Sequence, residues 1–307
     1  MGAMCRRCLL TAGMPLWLVP AHLPAALLPI SLDDDGVCGV CRSFLRDVDD
    51  DALADEVEQC AFEVAAVGRP AILALSGGKD SLATLALCRT HDIDVVAALY
   101  DNGFIPPAVI ARAQAVCARL GVEFVVLRAD DDDARGIASA VADASPTSTA
   151  PCLHCAAQMG RRFGALADER GAPWLISGTN YPAHWTIDDD GAGTIRASHA
   201  MGTPAGRVWR VLHLPFALRI THTALRGTLA DIGVDLDEVT AAVGGISSNC
   251  RVPGLVQARV GAALGHVPEQ EDLALEVLVG HRERDDALAE LLRKAPELVT
   301  ITRESPR

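Results

Sequence analysis

Ser76-Gly77-Gly78-Lys79-Asp80-Ser81 places two glycines, a lysine, a carboxylate and two hydroxyls in six consecutive positions. Glycines without a Cβ let the backbone approach an anion closely. Lys79 adds a point charge, and Ser76 and Ser81 add hydroxyl donors. The spacing is not that of the Walker loop, whose glycines stand further apart and which ends Gly-Lys-Ser/Thr. The composition is that of a phosphate cradle. Ten cysteines form the second reservoir of chemistry. Cys5-x-x-Cys8 and Cys38-x-x-Cys41, with 29 residues between Cys8 and Cys38, read as a four-thiolate zinc site, with disulfides or free thiols as the alternatives. Cys152-x-x-Cys155 opens a helical pattern, where a helix N-terminus lowers thiol pKa values. Cys250 lies far downstream between Gly244-Gly245 and Pro253, in a loop context. Three cysteines can hold three irons of a cubane cluster and leave the fourth iron open; a redox dithiol is the alternative for Cys152 and Cys155. Cys60, Cys88 and Cys117 sit inside apolar helical patterns and read as small core residues.

These groups need a scaffold, and the sequence supplies an α/β one. The apolar run Ala71–Leu75 ahead of the glycine loop reads as a buried strand, and Ser81–Thr90 as a helix. The loop therefore meets a helix N-terminus, whose free N–H groups and positive dipole end favour an anion. Val95–Tyr100 and Glu123–Leu127 read as strands around a helix over Pro106–Leu120. A helix over Cys155–Glu169 leads to a strand at Trp174–Ser177. Alternation of this kind predicts a parallel sheet flanked by helices, with ligands beyond the carboxyl ends of its strands. Three loops converge there: Ser76–Ser81, Tyr100–Gly103 and Gly178–Asn180. Tyr100, Asp101 and Gly178 are accordingly candidate nucleotide-pocket residues.

Asp130–Asp133 reads as a solvated loop or helix start, and Asp188–Asp190 as a surface turn. Arg207, Arg210 and His213 are candidates for substrate contact, with surface ion pairing as the plainer role. Helical patterns occupy Thr221–Ile232, Leu255–Leu264 and Asp272–Leu292. The expected organisation is a zinc module with a connecting helix over 1–62, a nucleotide-binding domain over 63–245 and a helical region over 246–307.

The chain has 307 residues, half of them hydrophobic, enough for an α/β core with small appendages. Its 27 basic and 40 acidic residues leave a net charge of -13, a poor general match to nucleic acid. Leu9–Ile30 is apolar and follows two arginines, as a signal peptide would. Pro15, Pro20, Pro24 and Pro29 break any continuous helix there, and the stretch lies between two cysteine pairs that read as one site. The expectation is a cytoplasmic chain with no membrane span.

With these residues in view, Ser76–Ser81 resembles the loop of the PP-loop ATP pyrophosphatase superfamily, which cleaves ATP between its α and β phosphates. The chain resembles, over about residues 1–260, the PP-loop enzymes that thiolate position 2 of tRNA bases. In that family the counterparts of Cys152, Cys155 and Cys250 hold a [4Fe-4S] cluster, and those of Cys5, Cys8, Cys38 and Cys41 hold Zn2+. The resemblance implies ATP binding by Ser76, Gly77, Gly78, Lys79, Asp80 and Ser81, with Mg2+. It implies catalytic roles for Lys79, Asp80, Cys152, Cys155 and Cys250. The sulfur donor would be sulfide, a carrier protein or a persulfide, and a homodimer is a candidate assembly. The chain departs from the pattern at Gly178-Thr179-Asn180-Tyr181-Pro182-Ala183, where the family has Gly-His-Asn-x-Asp-Asp. Met159 stands where a basic residue often follows the second cysteine, with Arg161 and Arg162 close by, and a C-terminal zinc module is missing. These departures and the acidic charge favour a small-molecule acceptor over a tRNA base. Asp33-Asp34-Asp35-Gly36-Val37-Cys38-Gly39-Val40-Cys41 also resembles the N-acetyl sugar amidotransferases, which adenylate a substrate oxygen and take ammonia from a partner glutaminase. A nucleotide-sensing module is the non-enzymatic reading.

Overall fold

Ile72, Val96, Ala98 and Tyr100 pack on one face of a central sheet, and Leu73, Leu75, Ala97 and Leu99 on the other. That alternation is what a strand pair buried on both sides requires. The computed structural model describes residues 3–14, 23–143, 150–235, 238, 249–264 and 269–294. Pro15, Pro20, Gly244 and Gly245 lie outside the described residues, as do 144–149 ahead of Cys152 and the boundary expected at 245/246.

Four parallel strands, β1 (Ala71–Ala74), β2 (Val95–Asp101), β3 (Phe124–Arg128) and β4 (Trp174–Ser177), are continued by β7 (Ser198–Gly202) and β8 (Val208–His213) in the order β3-β2-β1-β4-β8-β7. β8 is parallel to β4, and only β7 runs antiparallel. β5 (His184–Ile187) and β6 (Gly193–Arg196) form a separate hairpin, turned at Asp188–Gly191 as the acidic-glycine composition predicts. The fold is thus α/β, a mostly parallel sheet flanked by helices.

The helices follow from local signals. α1 (Gly39–Asp47) is capped by Cys38, whose sulfur accepts from the Cys41 N–H. α2 (Asp50–Val67) is capped by the Asp49 carboxylate. α3 (Lys79–Thr90) starts two residues ahead of its expected position, so Lys79 is its first residue. α4 (Pro107–Leu120) has proline at its start and a left-handed Gly121 at its end. Asp130–Asp133 opens α5 (Asp131–Asp143), where three carboxylates complement the helix dipole and Asp130 accepts from the Asp133 N–H at 2.8 Å. α6 (Ala150–Arg170) carries the Cys152 and Cys155 pair in its first turns. α7 (Leu214–Ala217), α8 (His222–Asp231), α9 (Arg251–Leu264), α10 (Glu269–Leu278) and α11 (Arg284–Lys294) follow.

Trp174, Trp209, Phe44 and Phe216 are the largest side chains shut away from solvent. Cys60, Cys88 and Cys117 are fully buried, as the apolar patterns predict, and burial pushes the Cys60 thiol up to about 12. The N-terminal cysteine segment packs against α10 and α11. Gln270 donates to the Thr11 hydroxyl at 2.9 Å, and Arg284 to the Cys5 carbonyl at 3.3 Å. Among the described residues no helix is long and apolar enough to cross a membrane.

Candidate functional site

The loop between β1 and α3 is fixed by contacts from both sides. Gly77 has a φ of +76°, and a Cβ there would lie 2.7 Å from the Val109 side chain. Only glycine fits that combination. Arg112, on α4, donates to the Gly77 carbonyl at 2.7 Å and pins the loop. Ser76 and Ser81 hydroxyls stand 3.0 Å apart, and Ser81 donates to the Gly78 carbonyl. From the β4 side, a Cβ on Gly178 would lie 2.9 Å from Ser81 Cα, so glycine is required for the close approach of two backbones. The sequence places Gly178 in the right loop; its contact with the start of α3 is the structural reason.

Lys79 is not idle in that loop. Its ammonium lies 2.8 Å from Asp80 and 3.9 Å from Glu276 on α10. Burial works against its charge, yet the two carboxylates outweigh it and raise the pKa. Glu276 in turn meets Arg282 at 2.8 Å. Tyr181 is partly buried, and its hydroxyl is pushed well up, first by desolvation and then by the negative charges of Asp272, Glu276 and Asp80. Burial and the neighbouring carboxylates Glu276, Glu271 and Glu269 push Asp272 up to about 8. Pro182 and Ala183 lack the carboxylates that the family resemblance expects, but α10 brings others to the same lysine. Sequence reading missed them because the C-terminal helices carry no motif; they reach the loop only through packing.

Cys152, Cys155 and Cys250 open onto a single cavity of about 200 Å³, together with Ser76, Tyr100 and Asn102. Ile105, Ile137, Phe163 and Val252 make its walls apolar. Asn102, itself buried, donates through Nδ2 to Cys155 Sγ at 3.3 Å and to Cys250 Sγ at 3.6 Å. Its Oδ1 accepts from the Phe104 N–H at 2.9 Å, which aims the NH2 end at the sulfurs. Tyr100 donates to Gln158 at 2.9 Å, and Gln158 lies 2.7 Å from the exposed His154. The helix N-terminus does not win over the thiols as the sequence reading expects: burial pushes Cys152 up to about 11 and Cys155 upward as well. Asn102 and Gln158 were not legible as site residues, although Asn102 lies in the loop Tyr100–Gly103. Asp101 does not line this cavity; its carboxylate accepts from the Gly103 N–H at 3.0 Å. Met159 lines the same cavity, while Arg161 and Arg162 turn away to Asp133 on α5 and Asp130 just ahead of it.

Cys5, Cys8, Cys38 and Cys41 form a different kind of site. All four are buried, and their sulfurs lie within 4.8 Å of one another. Cys8 and Cys38 are 3.8 Å apart, and Cys5 and Cys41 4.0 Å. Four thiolates about 2.3 Å from one ion stand about 3.8 Å from each other at the corners of a tetrahedron. Hydrogen bonds among the four sulfurs pull the Cys5 and Cys38 thiols down and push the Cys8 and Cys41 thiols up. It is the only such four-group set among the described residues.

Arg207, Arg210 and His213 are placed in structural roles. Arg207 bonds the Ala167 and Ala172 carbonyls, Arg210 stacks 4.4 Å over Trp174, and His213 Nδ1 lies 2.8 Å from the Tyr181 carbonyl. A hollow of about 820 Å³ beside Asp47–Asp51 and Asp190 holds none of the loop or cysteine residues.

No family model matches the chain, and no curated protein matches it. Among solved structures it is similar to NMN synthetase from Francisella tularensis, at 15% identity and a TM-score of 0.43 over 82% of this chain and 95% of that one. It is similar to the NH3-dependent NAD synthetase from Campylobacter jejuni subsp. jejuni, at 19% identity and a TM-score of 0.33 over 43% of this chain. A third likeness is to the glutamine-dependent NAD+ synthetase from Acinetobacter baumannii, at 23% identity and 0.32 over 40%. The chain spans 58% and 24% of those two NAD synthetases. Likenesses this slight carry no activity to this chain.

Proposed function

We propose that the chain is an ATP-dependent sulfur transferase of the PP-loop type. The observation that carries the reading is the adjacency of two chemistries: Ser76 of the phosphate loop lines the cavity that holds Cys152, Cys155 and Cys250. Activation and sulfur delivery then occur within one continuous site.

In the first step a substrate oxygen attacks the α-phosphate of ATP, and pyrophosphate leaves with the electron pair of the broken P–O bond. Gly77, Gly78 and the N-terminus of α3 bind the departing phosphates through backbone N–H groups. Lys79 exchanges its carboxylate partners for phosphate oxygens and neutralises the charge that develops. Mg2+, a hard cation that takes oxygen ligands, would be held by Asp80 and Glu276. Tyr100, Asp101 and Gly178 border the nucleotide. In the second step sulfur at the cysteine cavity attacks the activated carbon, a C–S bond forms, and AMP leaves.

The three thiols suit a [4Fe-4S] cluster: soft donors, apolar walls, and an amide that donates to two of the sulfurs. Each would ligate a different iron, which asks for wider spacing than one shared ion does. Such a cluster, held by Cys152, Cys155 and Cys250, would supply a soft iron site for sulfide. Cys5, Cys8, Cys38 and Cys41 would hold Zn2+ as a structural ion.

The test is Cys250→Ser in a coupled assay of ATP-dependent pyrophosphate release and acceptor thiolation. The reading expects pyrophosphate release to persist and thiolation to cease; thiolation at the native rate overturns it. The second reading, an amidotransferase with ammonia from a glutaminase partner, rests on the Asp33–Cys41 segment. It expects activity that follows the glutaminase and is indifferent to Cys250.

A further inference from the structure

Across Ile105 from the cysteine cavity lies a second hollow, about 530 Å³ in volume. Its floor is apolar, from Phe104, Ile105 and Ile110, and its polar rim includes Arg128, Arg251 and Gln114. Arg128 ends β3 and Arg251 opens α9, so the hollow stands beyond the carboxyl ends of β2 and β3. Open parallel sheets bind small ligands in that position.

With a net charge of -13, carboxylates are plentiful, and Arg42, Arg46, Arg162, Arg170 and Arg282 each pair with one. Arg128 and Arg251 have no ion pair among the described residues, although Asp101 shares the rim with them. Two guanidinium groups without counter-ions on one concave surface are a site for a planar or tetrahedral anion. The volume suits a small molecule, within the range of about 300–1,000 Å³ typical of ligand clefts.

The hollow also communicates with the chemistry. Ile105 lines both cavities. Cys250 faces the cysteine cavity while its chain neighbour Arg251 lines the hollow. We propose that this hollow is the acceptor subsite, and that it takes a small molecule with an apolar or ring-shaped body and one carboxylate or phosphate. The anion sits on Arg128 and Arg251, the body lies over Phe104 and Ile110, and the far end reaches past Ile105 toward the sulfurs. The acceptor role, as distinct from anion binding, rests on the sulfur-transfer reading above.

The experiment compares three probes with the same ring and different charge: phenyl phosphate, benzoate and benzamide. Their binding to the full chain is measured by ligand-observed NMR without ATP. The anions are expected to bind and benzamide not to. Arg128→Ala and Arg251→Ala should each weaken the anions about tenfold, the scale of a lost charged hydrogen bond. Arg128→Lys should recover part of that loss, and Arg89→Ala, remote from the hollow, should change nothing. The tighter of the two anions identifies the group that the acceptor carries. Thermal unfolding verifies that each variant is folded, and Arg128→Ala alone suffices should Arg251→Ala disturb Cys250. Equal binding of benzamide, no binding of either anion, or unchanged anion binding in the folded arginine variants overturns the proposal. Neither ATP nor iron enters the measurement, so Cys250→Ser should bind the probes like the native chain even if sulfur transfer itself is disproved.

Discussion

The chain gathers cysteines twice, and the two gatherings differ in every physical respect. The N-terminal four lie with sulfur separations of 3.8 and 4.0 Å, are buried, and are contributed by two short segments, the first of them tied to α10 and α11. The other three come from α6 and the residue just before α9, border a cavity with polar neighbours, and share it with Ser76 of the glycine loop. Four thiols at tetrahedral spacing would fill an ion's coordination and leave it no open position for a substrate. Three thiols around open volume can do both. The contrast separates a site that builds the fold from one that uses it.

Replacing one of the four should have the largest effect. Binding of a structural zinc is worth about 10 kcal/mol or more to the segment that it organises. Cys41→Ser is therefore expected to lose zinc and to unfold the N-terminal segment, with loosened packing of α10 read by hydrogen exchange. Cys250→Ser should keep zinc and a native melting temperature. Similar loss of stability in the two variants would erase the distinction.

Gly77→Ala comes next. The positive φ and the 2.7 Å approach to Val109 should cost about 1–3 kcal/mol in urea unfolding and abolish pyrophosphate release. Native stability with native release would show that the loop is not the phosphate cradle.

The phosphate loop, its flanking strand and helix, and both cysteine sets were legible in the sequence because glycine, lysine and cysteine patterns are local. The hairpin β5–β6, strand β7 and the register of β8 were not, because alternation over four to six residues beside loops is a weak signal. Asn102 escaped notice because a lone asparagine after a strand says nothing until folding brings Cys155 and Cys250 within reach. Glu276 escaped for the same reason: its partner Lys79 lies 197 residues away in sequence but 3.9 Å away in space. The acidified thiols expected at the start of α6 failed because burial, which the sequence does not report, outweighs the helix end.

Asn102→Leu probes the second gathering more gently. It removes the donor to two sulfurs without removing a thiol. A cluster there should still load but show a more negative reduction potential, because a hydrogen bond to a ligand sulfur favours the reduced state. An unchanged potential would mean that the amide is only a packing group.

The smallest effect concerns pH. The carboxyl of Asp272 is raised in the folded chain to about 8. A raised carboxyl costs nothing while protonated in both states, below about pH 4, and costs progressively more as pH rises through its folded value. Asp272→Asn should therefore raise the melting temperature at about pH 9 and leave it unchanged near about pH 4. A gain independent of pH would contradict a buried, repelled carboxyl above the phosphate loop.

Metal analysis of the anaerobically purified chain tests the central contrast most directly. The account predicts about one zinc, about four irons and about four labile sulfides per chain, with Cys250→Ser losing the iron and sulfide while keeping the zinc. Zinc alone, with Cys152, Cys155 and Cys250 intact and reduced, would contradict it.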